Sequence, residues 1–109
     1  MALDVEHWDV EEDGELTEPA MRKKLEGRGY HVTRYVYTPG MYFPDHSHGE
    51  DKIDAVLSGQ FRMQMQGEDV ILKAGDALIV SKGTAHSAEV VGDDPVVSLD
   101  AVIEGPPAQ

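Results

Sequence analysis

With 109 residues and no cysteine, the chain has the length of one domain and can form no disulfide, thiolate zinc site or cysteine nucleophile. A formal net charge of −12 sets its surface against nucleic-acid phosphates and anionic lipid, so neither nucleic acid nor membrane is an expected partner. No apolar run approaches the ~18 residues a spanning helix needs, and the acidic start MALDVEHWDVEEDGE lacks the basic and apolar regions of a secretory signal, which fits a cytoplasmic setting.

The first part, residues 1–28, reads as an acidic arm followed by a short helix. Eight of the 21 acidic residues fall in the first 18 positions, so the arm is expected to be mostly solvated. Leu3, Val5 and Trp8 are its anchors, either on the domain or across a second subunit, because a large indole is rarely left in water. In LTEPAMRKKLEG, Thr17 suits an N-cap, Pro19 the first turn and Gly27 the stop, which predicts a helix over 18–26.

From Tyr30 the texture becomes β-branched and aromatic. YHVTRYVYT reads as a strand, broken at Pro39-Gly40. FPDHSH is a short extended piece in which Pro44 suggests a sheet edge or the start of a strand. KIDAVL, FRMQMQ, DVILK, ALIV, AHSAEVV and PVVSLDAVI follow as strands. Of these FRMQMQ alternates cleanly, with Phe61, Met63 and Met65 on one face. About eight short strands with turn signals between them predict an all-β sandwich or barrel over 29–104, with 105–109 as a tail.

Three histidines carry the chemistry. His46 and His48 are two apart, which on a strand puts both imidazoles on one face. His86 lies on or just before a late strand. Three neutral imidazoles on one face suit a divalent metal and leave coordination positions open. His7 and His31 read as surface and strand residues, Tyr35, Tyr37, Tyr42 and Phe61 as packing, and Arg34 and Arg62 as solvated.

The spacing around these histidines is more specific than the histidines alone. Gly40, five residues, His46-Ser47-His48, three residues, Lys52, six residues and Gly59 make one run; Gly75, five residues, Ser81, Lys82, Gly83, two residues, His86, three residues and Val90 make a second. Together they resemble the two motifs of the cupin superfamily, except that Lys52 stands in place of a carboxylate, Ser81 in place of proline and Val90 in place of asparagine. The resemblance implies an antiparallel jelly-roll β-barrel, or double-stranded β-helix. It also implies a divalent metal (Zn, Fe, Mn, Ni or Cu) on His46, His48 and His86, a small-molecule ligand in the barrel and, as small cupins commonly pair through sheet edges, a homodimer. The implied function is that of a small metal-binding protein, either an oxygenase- or isomerase-like enzyme or a non-enzymatic binding or sensing module; a metal-free structural cupin is the third reading.

Lys52 is the departure. An ammonium cannot ligate, and at ~6 Å from a dication with an effective dielectric of ~20 it costs roughly 5 kcal/mol. Three readings stay open at this point. Lys52 swings out and Asp51 or Glu50 supplies the carboxylate; Lys52 sits inward against Asp54, two residues on; or no metal binds. An inward lysine beside a metal would have its pKa pushed down and could serve as a general base.

Overall fold

The computed structural model describes residues 3–103; Glu104 and the expected tail 105–109 lie outside them. Nine strands and two short helices follow in order: β1 (Val5–His7), α1 (Val10–Asp13), α2 (Glu18–Glu26), β2 (His31–Tyr37), β3 (Tyr42–His46), β4 (Asp51–Ser58), β5 (Gln60–Met65), β6 (Glu68–Leu72), β7 (Asp76–Val80), β8 (His86–Val91) and β9 (Val96–Ile103). A five-stranded sheet in the order β1-β7-β4-β9-β2 faces a four-stranded sheet in the order β3-β8-β5-β6. Every pairing is antiparallel. This is the jelly roll expected from the strand count and the two motifs. None of the helices described is long and apolar enough to cross a membrane.

The two sheets close over Val56, Phe61, Met63, Leu72, Leu78, Val80, Val90 and Val96. The alternation of FRMQMQ delivers Phe61, Met63 and Met65 to this core, as their spacing predicts. A second core lies on the outer face of the larger sheet, where Ile53, Ala55, Leu99 and Ala101 meet Met21 and Leu25 of α2. The helix forms where the sequence places it. The Thr17 hydroxyl accepts from the Ala20 N–H at 3.1 Å, and Met21 and Leu25, one turn apart, make the buried stripe.

Strand β4 is therefore buried on both sides. Ile53 and Ala55 point to the helix, while Lys52, Asp54 and Val56 point between the sheets. A strand covered on both faces normally carries apolar side chains throughout. The two charged residues on its inner row are thus the anomaly of the fold, and they lie beside the histidines.

The acidic arm does more than solvate. Val5–His7 adds an edge strand to β7, and the Trp8 N–H donates to the Gly75 carbonyl at 2.9 Å. Leu3 and Val5 pack on the inner core, Trp8 and Leu16 on the outer one. Arg28 holds Glu6 at 2.7 Å and Lys24 holds Asp13 at 2.7 Å. Strand β1 escapes detection in the sequence because it is three residues long and two of them are polar.

Candidate metal centre

His46 ends β3 and His86 begins β8, and the two are direct partners in the antiparallel register. The register slips between Phe43 and His46, the kind of irregularity that re-aims a side chain next to a site. His48 lies beyond the end of β3, so strand alternation does not place it. Its loop does. The His48 carbonyl accepts from the Gly83 N–H at 2.8 Å, and the Asp51 carboxylate accepts from the Lys82 N–H at 2.8 Å. Both bonds tie the β3–β4 loop to the β7–β8 loop that leads into His86.

The three rings gather at centroid separations of 4.8, 4.4 and 5.2 Å. One ligand nitrogen from each lies within 4.8 Å of the others. Hydrogen bonds fix which nitrogen is free on two of them. His46 Nδ1 stands 2.7 Å from the Pro44 carbonyl and His86 Nδ1 2.9 Å from the Thr84 carbonyl. A carbonyl only accepts, so each Nδ1 carries the proton and each Nε2 keeps its lone pair. The Nε2 of His48 is buried and has no hydrogen-bond partner, and burial, with Lys52 and the other two histidines, holds its pKa below the ordinary histidine value. Three imidazoles, each with a nitrogen left for the site, are the donor set a divalent ion takes. Nitrogens sharing one ion tetrahedrally at ~2.1 Å stand about 3.4 Å apart, so the rings must draw together by up to roughly 1.4 Å to close the set. The residues fit the metal.

Next to the histidines is a cavity of about 260 Å³ with two unlike walls. One is aromatic. Tyr37 meets Phe43 edge-on at 4.9 Å and lies over Phe61 at 5.5 Å, and Tyr35 stacks on Tyr37 at 5.8 Å. The other is charged and built from Lys52, Asp54 and Asp100. Lys52 points inward, 6% exposed, with its Nζ 2.9 Å from Asp100 Oδ2 and 3.3 Å from Asp54 Oδ1. Of the three readings of this lysine, the structure adopts the pairing with Asp54 and adds Asp100, a residue to which the sequence gives no role.

Two expectations change with this geometry. Asp51 is not brought to the histidines: its carboxylate is exposed and spent on the Lys82 N–H, and it does not line the cavity. Lys52 is not a neutral amine. Burial penalises its ammonium most strongly, but the attraction of Asp54 and Asp100 outweighs burial and the pKa is raised. The repulsion expected between Lys52 and a dication is also offset, since two carboxylates share that ammonium. Arg34 and Arg62 face outward against Glu18 and Asp69, and His7 meets Asp76, as their surface reading requires. Tyr42 is exposed, whereas Tyr35, Tyr37 and Phe61 line the cavity.

Comparison with known proteins agrees with the geometry. A family profile described as "Cupin domain" matches residues 33–102. A predicted oxalate decarboxylase from Thermotoga maritima is 28% identical, with 91% of this chain and 77% of that one covered and a TM-score of 0.62. An uncharacterised Klebsiella pneumoniae protein with a double-stranded beta-helix domain is 27% identical over 73% of this chain and 71% of its own, TM-score 0.61. KdgF from Halomonas sp. shares the fold at 24% identity, covering 71% and 72% of the two chains with a TM-score of 0.61. No protein of curated function matches.

Proposed function

This chain belongs to the cupin family, and from that premise we propose that it is a small metal-dependent enzyme acting on an oxygen-bearing small molecule in the barrel. His46, His48 and His86 hold one divalent ion. The observation that carries this reading is the buried, unpartnered Nε2 of His48, set among two imidazoles whose Nδ1 protons are already committed to carbonyls. A bound dication supplies Lewis acidity toward an oxygen of the ligand. The chain's own groups do the rest: the aromatic wall offers the ligand an apolar surface, and Lys52 with its two carboxylates sets the charge of the opposite wall. Likeness to a predicted oxalate decarboxylase supports chemistry on a small oxygenated compound.

The test is zinc and nickel binding by the chain purified without chelators, followed calorimetrically, with His46→Ala, His48→Ala and His86→Ala alongside. One equivalent bound by wild type and a sharp loss in each variant is expected. A wild type that binds neither ion, or three variants that all keep full occupancy, overturns the reading. A metal-loaded chain that binds small oxygenated ligands but never turns one over supports a sensing module instead.

We also propose that a second copy pairs along β2. That strand is an edge of the larger sheet, with Tyr35 44% and Val36 50% exposed, and an open apolar edge invites strand pairing. Sedimentation that shows only single chains at micromolar concentration opposes it.

A further inference from the structure

Asp54 and Asp100 are direct partners across the β4–β9 pair. Like charges placed opposite each other on one face of a sheet repel. Here both carboxylates are turned into the barrel, and both contact the same ammonium, that of Lys52. Two carboxylates against one ammonium leave one negative charge uncompensated in a wall where Asp54 is 6% exposed. Among the described residues no other cation or hydrogen-bond donor meets Asp54 or Asp100. The Oδ1 of Asp100 is buried and has no partner at all.

A buried unpaired charge is the costliest group a fold can carry, and proteins remove it by neutralising the group. Two carboxylates that share a site relieve the repulsion by sharing a proton. We propose that the Asp54–Asp100 pair holds one proton across β4 and β9, kept in register by Lys52, and that this proton is the acid the cavity offers to a bound ligand. The charged wall becomes one ammonium, one carboxylate and one carboxylic acid, with no net charge.

The groups around the pair agree. On the face of β4, Lys52 favours an ionised partner, but burial dominates and pushes the Asp54 carboxyl up, with Asp100 adding to the effect. From β2, Tyr37 carries no charge near neutrality, since burial and the two aspartates raise its pKa well beyond the ordinary phenol value. From the metal centre, His48 and His86 are the nearest titratable groups, and neither hydrogen-bonds to either carboxylate among the described residues. When a ligand takes the proton, the O–H bond of the pair breaks, the proton goes to the ligand's basic atom, and both carboxylates are left ionised around Lys52. A hydronium ion from solvent returns the proton to the pair and leaves as water. The use of this proton on a ligand rests on the metal-centre reading above; its presence does not.

The experiment is carbon-13 NMR of aspartate carboxyls in the full chain, metal-free, titrated with pH. One carboxyl is expected to keep its proton about one pH unit or more above the usual aspartate range, and that late titration should vanish in Asp54→Asn. In Asp100→Asn it should move, because the repelling partner is gone. Wild type in which every aspartate titrates in the usual range overturns the proposal. So does a late titration that survives Asp54→Asn and is unmoved in Asp100→Asn. Zinc binding measured on the same sample separates the two readings. Ordinary carboxyls with zinc bound remove the shared proton and leave the metal centre; a late carboxyl without zinc binding does the reverse.

Discussion

Asp54 on β4 and Asp100 on β9 stand opposite each other across an antiparallel strand pair, and the ammonium of Lys52 bonds both. Lys52 sits where the family pattern has a metal-binding carboxylate. The substitution therefore does not come alone: the ammonium arrives with two carboxylates that compensate it inside the barrel.

Removing that ammonium should be costly. Lys52→Met leaves the Asp54–Asp100 pair with its remaining negative charge and no cation beside it, and breaking a buried pair in this way costs ~3–5 kcal/mol. The loss should be largest at neutral pH and shrink toward acid pH as the carboxyls take up protons. Lys52→Glu places a third carboxylate in the same wall and should melt lower than Lys52→Met in metal-free protein. Urea unfolding at neutral and acid pH checks both. A Lys52→Met chain as stable as wild type at neutral pH would show that the ion pairs contribute nothing.

Asp51 should matter to the metal without touching it. Its carboxylate ties the His48 loop to the Lys82 N–H. In Asp51→Ala the loop loses one of its two ties and His48 is held less firmly. Supporting groups of this kind change metal affinity ~10- to 100-fold, so zinc affinity should fall within that range while stoichiometry stays the same. Asp51→Asn, whose side-chain oxygen still accepts, should recover most of the loss. Unchanged affinity in Asp51→Ala would leave the tie without a role in holding His48.

These two residues also mark how far the sequence can be read. Strands β2 to β9, helix α2, the FRMQMQ face and the three histidines are legible because period and spacing are local properties. The direction of Lys52 is not. Burial of β4 on both faces erases the alternation of polar and apolar residues that would set its phase, with helix α2 covering Ile53 and Ala55 on the far side. Asp100 is invisible for a different reason: its contact with Lys52 spans 48 positions and exists only because β9 lies beside β4 in the sheet order. His48 converges on the other histidines through loop hydrogen bonds rather than strand alternation, so its placement agrees with the motif while the local rule does not explain it.

Glycine positions separate backbone strain from crowding. Gly59 has φ +85, and an added Cβ would overlap the Pro95 carbonyl. Gly67 has a similar φ of +77 with nothing near its missing Cβ. Gly67→Ala should cost only the left-handed backbone penalty, ~1–2 kcal/mol. Gly59→Ala adds a clash with backbone that cannot rotate away and should cost roughly 2–5 kcal/mol in total. Chemical denaturation of the two variants measures the difference, and equal losses would mean that the Pro95 segment yields freely.

Alkaline pH should unfold the barrel through two of its cavity residues. Burial opposes the Lys52 ammonium, but Asp54 and Asp100 more than restore it, so its pKa lies above the ordinary 10.5. Burial, then Asp100 and Asp54, disfavour the Tyr37 phenolate and raise its pKa above the ordinary 10.0. In both cases the folded chain keeps a proton that the unfolded chain releases. Stability falls with pH wherever the native state binds more protons. The contribution of each residue is therefore complete below about pH 10 and is lost as the pH climbs through the folded values. Urea unfolding across about pH 8 to 11 should show a decline that begins near pH 10. Tyr37→Phe cannot form a phenolate in either state and should flatten part of the decline. Lys52→Met should flatten another part, from a lower starting stability. A wild-type profile level through this range, or one that keeps its full slope in both variants, would rule out these two residues as its source.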